Sequence, residues 1–322
     1  MLVLVTGGAG YLGSTATLAI MDSGHEVRVL DNLLHGQQHV ADALRARGAD
    51  VHVGDLRDQR TRRRALRDVD TLVHLAAIVG DPACATHPEL SEEVNIAGSS
   101  AIFSDASRGG VQHLVFASTC SNYGVVSGGS VVDEDSPLRP ASAYARQKVQ
   151  TERDLLDGPL EFTGSVTCLR FATLYGVSSR MRFDLLVNEF VRDLWLGRTI
   201  QVYGGDSWRP YVHVRDAAAS IVAAIEKRHS ARDRRVFNVG VDQDNYRKED
   251  IADLIAGLVG SGSIERVDTG PDPRSYRVSF ERVSAELGPE LGWSVEAGVQ
   301  ELMNQLAGGR FGDAMARDYV NS

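Results

Sequence analysis

The chain has 322 residues, 43% of them hydrophobic and 24% charged, an ordinary globular composition with enough apolar material for one large or two medium domains. Its 43 acidic residues against 34 basic ones leave a net charge of −9, which argues against a nucleic-acid surface, and the one basic run, "RDQRTRRRALR", reads as a solvated helix face. The opening "MLVLVTGGAGYLG" lacks a basic lead and is broken by glycines, so neither a secretory leader nor a membrane span fits and a cytoplasmic protein is expected; Cys84, Cys120 and Cys168 lack CxxC spacing, which points to reduced thiols and no metal site.

In chain order, short apolar runs alternate with helix-like segments through the first half. "MLVLVTG", "EVRVLD", "DVHVGD", "TLVHLAA", "HLVFAST" and "SVTCLRF" read as buried strands, and their alternation with helices predicts a doubly wound parallel sheet of the Rossmann type. After Arg170 the rhythm changes: "DLLVNEFVRDLWLG" is a helix, "IQVYGG" and "RPYVHV" are strands, and "RVFNVG" returns to the main sheet. The late helices are "HVRDAAASIVAAIEKR", "KEDIADLIAGLVG" and "SVEAGVQELMNQLAGG", and the tail "FGDAMARDYVNS" is expected to fray. The pattern divides the chain into a larger part, 1–170 plus about 212–240, and a smaller interleaved part, 171–211 plus about 241–322.

The first turn, "VTGGAGYLGS", sets Gly7, Gly10 and Gly13 in a GxxGxxG spacing between a strand and a helix, with Tyr11 and Leu12 in the same loop. Glycine there permits a tight turn and lets backbone approach a pyrophosphate, whose charge the helix N-terminus favours. The second strand ends in "RVLDN", placing Asp31 to accept hydrogen bonds from ribose hydroxyls and Asn32 beside it; a 2′-phosphate would meet like charge, so NAD is expected over NADP. Arg28 lies inside that strand and points along the sheet, and "GDLRD" brings Asp55 and Leu56 toward the adenine. In "SAYARQK", Tyr144 and Lys148 share a helix face; taken alone the pair is an aromatic packed under an aliphatic stem.

Read together, "TGGAGYLG", "GDLRD", "LAAIVG", "STCSNYG", "YARQK", "WRPYVHVRD" and "VFNVG" resemble the extended short-chain dehydrogenase/reductase family, in particular its nucleotide-sugar epimerases and dehydratases. The resemblance implies that Tyr144 and Lys148 are the family's YxxxK pair and that Thr119 stands for its active-site hydroxyl residue. It also implies that Ala76 and Ala77 contact NAD through backbone, and that Asn95 is the helix asparagine near the site. Arg209 and Arg274 resemble the diphosphate arginines and Asn188 the nucleotide-contacting asparagine, while Thr173 replaces an asparagine and Pro210 an aspartate. The family's 4,6-dehydratases carry an Asp-Glu pair directly after the active-site threonine, where this chain has Cys120, expected as a small packing residue, and Ser121. The implied activity is therefore a nucleotide-sugar 4-epimerase in which Tyr144 takes the proton from the carbon-4 hydroxyl, Lys148 supports it and Thr119 positions the hydroxyl. A dehydrogenase, a 4-ketoreductase, a dehydratase and a catalytically silent NAD-binding sensor are the alternatives. The same resemblance implies a homodimer, with no nucleic-acid or membrane partner. The loop "VGDPACATHPEL" is placed to cover the sugar; His213, Arg180 and Arg182 have two readings, contact with a carboxylated or modified sugar, or core packing for His213 and solvent exposure for the two arginines, the second being the one expected.

Overall fold

The computed structural model describes residues 1–126, 130–158, 162–227, 230, 232–268, 272 and 274–321. Valine- and leucine-rich runs form the strands β1 (Leu2–Thr6), β2 (Glu26–Asp31), β3 (Asp50–Val53), β4 (Thr71–His74), β5 (His113–Thr119), β6 (Ser165–Phe171) and β7 (Arg234–Val239). They make one seven-stranded sheet in the order β7-β6-β5-β4-β1-β2-β3, with every neighbouring pair parallel. β4, β6 and most of β5 are buried, as expected of strands covered by helices on both faces. The order reverses between β1 and β4, and it is outside the carboxyl ends of strands at such a reversal that an open α/β sheet leaves a crevice.

Beyond β6 the chain builds smaller sheets. Thr173–Tyr175 pairs in parallel with Trp208–His213, which pairs antiparallel with Asn245–Arg247. Thr199–Tyr203 pairs with Ser263–Val267, a strand that its charged sequence, "SIERV", conceals. The helices Leu186–Trp195, Lys248–Val259 and Val295–Ala307 pack on one another around Tyr175, Phe183, Phe190, Tyr211, Ile251 and Leu302.

Two expectations need correction. The tail does not fray: Phe311 and Ala314 are buried, Tyr319 Oη donates to the Phe311 carbonyl at 2.8 Å, and Phe183 N–H donates to the Tyr319 carbonyl at 2.8 Å. The Phe311 and Tyr319 rings pack edge-on against Phe183 and dock the tail there. The arginine run is not wholly solvated either, because Arg62 is buried and its guanidinium donates to Asp105 at 2.7 Å and to the Leu56 and Arg57 carbonyls. Among the described residues no helix is long and apolar enough to cross a membrane.

In and around the outlying core, Asp244 joins the Tyr175 and Tyr211 hydroxyls among the buried polar groups with an unpartnered oxygen among the described residues. Asp244 is 2% exposed, and its Oδ2 has no hydrogen-bond partner among the described residues. Burial, reinforced by Glu296 and Asp216, pushes its pKa from 3.8 to about 7. The folded state thus binds this proton more tightly than the unfolded chain, and stability falls as pH rises from 3.8 through about 7. Asp244→Asn is expected to raise Tm at pH 8 and to raise it less at pH 5, a contrast that thermal melts at the two pH values measure.

Candidate active site

The crevice at the β1/β4 reversal opens into a cavity of about 580 Å³. β1 runs into Gly7, whose φ of +70° suits glycine, and a Cβ there would lie 2.9 Å from Ala76 backbone. Gly13 is tighter still, since its Cβ would sit 1.9 Å from the Gly7 carbonyl oxygen. Gly10 caps the helix Tyr11–Asp22 and no side chain caps its N–H groups, which leaves that end suited to an anionic oxygen. At the end of β2 the Asp31 carboxylate accepts from Ala9 N–H at 3.0 Å and Leu33 N–H at 2.8 Å; burial raises its pKa, while those N–H groups and Arg180 oppose the rise. Leu12, Asn32, Asp55, Leu56, Ala76 and Ala77 line the same walls. A cradle without Cβ atoms beside a helix N-terminus, with a carboxylate at the end of the next strand, fits a dinucleotide. Arg28 stays out of it, paired with Asp50 at 2.7 Å.

The resemblance also implies a cofactor-binding role for Asn95, and the structure places it outside the cavity lining. It is 4% exposed and absent from the cavity wall, because its amide is consumed elsewhere: Ile78 N–H donates to Oδ1 at 2.8 Å, and Nδ2 donates to the Ile78 carbonyl at 3.0 Å and to Gln147 Oε1 at 2.8 Å. It sits on the π-helical turn Glu93–Gly98 and ties the loop after β4 to the helix that carries Tyr144.

β5 ends at Thr119, whose Oγ1 caps the short turn Cys120–Tyr123 by accepting from Ser121 N–H at 3.1 Å. Ser142 caps the helix Ala143–Leu156 through Ala145 N–H at 3.2 Å, and Tyr144 and Lys148, one turn apart on that helix, line the cavity along with Thr119. Lys148 Nζ donates to the Ala117 carbonyl at 2.8 Å and lies 5.8 Å from the Tyr144 ring centroid. Burial pushes Lys148 down to about 8 and raises the Tyr144 phenol, with Arg182 opposing the second shift. Cys120 turns the other way. Its thiol is 1% exposed and donates to the Arg170 carbonyl at 3.1 Å, and burial pushes its pKa far up, so it packs rather than reacts.

At the other end of the cavity Arg209, Lys248 and Arg274 converge on Asp272, with Arg209 at 2.9 Å and Arg274 at 3.5 Å. Burial disfavours the Asp272 charge, but Arg209 and Lys248 outweigh it and hold the carboxyl at about 2. Arg274 also meets Asp81, in the loop expected to cover the sugar, at 2.6 Å. Thr173 and Tyr276 line the wall between, and the Tyr276 hydroxyl lies 3.3 Å from Ser121 Oγ. Pro210 stands in the strand Trp208–His213, opposite Asn245.

Further placements differ from the sequence reading. Asn188 is fully buried and does not line the cavity: Gly176 N–H donates to its Oδ1 at 2.9 Å, and its Nδ2 donates to the Arg182 carbonyl and to Tyr11 Oη. The cavity takes Asp184, Leu185 and Leu186 from that stretch instead. Arg180 and Arg182 are 4% and 9% exposed, not solvated, and both line the cavity. They are drawn in because Ser178 donates to the Tyr11 carbonyl at 2.6 Å, locking the segment across the first helix near Asp31. His213 is a core residue, stacked on Trp293 at 4.1 Å and bonded to Glu301 at 3.1 Å. Sequence reasoning passed over Lys248 and Tyr276; the second stands two residues beyond Arg274, the spacing that returns an extended chain to one face. Among the described residues no His, Cys, Asp or Glu cluster could hold a metal ion.

A family model described as "NAD dependent epimerase/dehydratase family" matches residues 3–240. The UDP-glucose 4-epimerase of Corynebacterium glutamicum is 27% identical, with 89% of this chain and 90% of that protein covered. The structure of UDP-glucose 4-epimerase from Thermotoga maritima with UDP-glucose superposes with a TM-score of 0.85 at 26% identity, covering 96% of this chain and 100% of that one. A dTDP-glucose 4,6-dehydratase from Streptomyces venezuelae, solved with NAD, superposes at 0.83 and 25% identity, covering 96% and 98%.

Proposed function

The chain belongs to the NAD dependent epimerase/dehydratase family, and from that premise we propose that it is an NAD-dependent nucleotide-sugar 4-epimerase. The observation that carries the reading is the content of the cavity wall: Thr119, Tyr144 and Lys148 all line it, while the two positions after Thr119 hold a core-facing thiol and a serine in place of an acid and a base for eliminating water.

In this reading Gly7, Gly10 and Gly13 admit the pyrophosphate of NAD, Asp31 takes the adenosine ribose hydroxyls and Lys148 the nicotinamide ribose. Bound NAD supplies reversible two-electron oxidation at the sugar carbon. Thr119 Oγ1 and Tyr144 Oη hold the carbon-4 hydroxyl, and Tyr144 accepts its proton. Burial alone moves that phenol the wrong way, so its ionised form depends on nearby positive charge from Lys148 and Arg182. Lowering a phenol from about 10 to near 7 asks for about 4 kcal/mol. Arg209 and Arg274 grip the diphosphate, leaving the sugar free to turn between Thr119, Ser121, Thr173 and Tyr276 and present its other face. Residues 171–211 and about 241–322 form the substrate side in this proposal, and a homodimer through the helices bearing Asn95 and Tyr144 belongs to it.

The test is a panel of UDP-, dTDP- and GDP-sugars, with products identified by NMR and NADH followed by absorbance. A carbon-4 epimer without net NADH is the expected result. Stoichiometric NADH with a released keto sugar would replace the epimerase by a dehydrogenase.

A further inference from the structure

Only three of the chain's 34 basic residues are lysines, Lys148, Lys227 and Lys248, and arginine serves everywhere else. Two of those three, Lys148 and Lys248, line the cavity. Lys148 belongs to the reacting end. Lys248 opens the helix Lys248–Val259, and its side chain is only 14% exposed. Its ammonium donates to the Tyr203 carbonyl at 3.2 Å and pairs with Asp272, which Arg209 and Arg274 also face.

Three cations share two carboxylates here, Asp272 and, at Arg274, Asp81 at 2.6 Å, which leaves one positive charge in excess on a wall that a ligand reaches. An ammonium carries three donors on a compact point charge. Tyr203 and Asp272 take two of them, and the third remains for an incoming oxygen. The wide guanidinium fork used at Arg209 and Arg274 spans two oxygens, whereas a lysine between them supplies a charge without that planar demand.

We propose that Lys248 is a third cationic ligand of the substrate's diphosphate, acting with Arg209 and Arg274 and indifferent to the sugar attached. The proposal rests on the nucleotide-sugar reading above. It makes affinity for the bare nucleoside diphosphate, rather than turnover, the quantity that Lys248 controls.

The scarcity of lysine makes the test clean. The NAD-loaded protein is acylated with a lysine-selective active ester, with and without UDP, and each site is followed by mass spectrometry; the exposed Lys227 is the internal control. UDP is expected to slow acylation of Lys248 about tenfold or more and to leave Lys227 unchanged. In parallel, Lys248→Gln is expected to weaken UDP binding, read by calorimetry, by about 10- to 100-fold, with Lys248→Arg recovering part of the loss and bound NAD retained. The loss should be the same factor for UDP, UDP-glucose and UDP-galactose. Equal acylation of Lys248 with and without bound UDP overturns the proposal, as does unchanged UDP affinity in a folded Lys248→Gln. If that variant does not fold, protection in the unaltered protein decides alone. Unaltered protein that binds none of UDP, dTDP and GDP overturns the nucleotide-sugar reading and this proposal with it.

Discussion

Tyr144→Phe is expected to lower kcat by about 10²- to 10⁴-fold with little change in KM, in bound NAD or in melting temperature. The reason is local. The ring keeps its place on the capped helix Ala143–Leu156 and its packing near Lys148, and only the oxygen that exchanges a proton is lost. A substitution that removed ground-state binding would instead raise KM at constant kcat. Steady-state kinetics with quantified NAD on the same preparation separates the two, and near-normal turnover would remove Tyr144 from the chemistry. Lys148 cannot take over the role in place, because its ammonium already donates to the Ala117 carbonyl at 2.8 Å.

Gly13→Ala should be the other severe change. The added methyl would meet the Gly7 carbonyl oxygen at 1.9 Å and the Gly7 carbonyl carbon and Gly8 Cα at 2.8 Å, all of them backbone atoms of the turn itself. Relief requires the turn to open, which costs about 1–3 kcal/mol or more in a packed site and displaces the N–H groups aimed at the pyrophosphate. The expected outcome is protein purified with less than about a tenth of the normal NAD content and a lowered melting temperature. Normal NAD occupancy in this variant would show that the cofactor does not lie against the first turn.

How legible the molecule is in its sequence depends on the range of the forces involved. The parallel sheet shows because its strands are buried on both faces and read as unbroken apolar runs such as "TLVH", and the glycine turn shows because steric exclusion acts within a few residues. Tyr144 and Lys148 come together through helical periodicity alone, and the core-facing Cys120 follows from a position one residue past a buried strand.

The misplacements share one cause, contacts between segments far apart in the chain. Asn188 is claimed by Gly176, Arg182 and Tyr11, and nothing in "LLVNEF" announces those partners. Arg180 and Arg182 are carried inward by Ser178, whose hydroxyl finds Tyr11 across the fold. Ser263–Val267 becomes a strand only because Thr199–Tyr203 offers an edge to pair with. Lys248 meets Asp272 by the same kind of closure, although the rarity of lysine was visible in the composition.

The most direct test of the epimerase claim follows one hydrogen. A nucleotide sugar that proves to be a substrate is prepared with deuterium at carbon 4, incubated with the NAD-loaded protein in ordinary water, and the product is examined by NMR and mass spectrometry. Oxidation and return within one closed site predicts a carbon-4 epimer that keeps its deuterium at carbon 4. Deuterium released with a free keto sugar, or moved to carbon 6 with loss of water, would contradict the account.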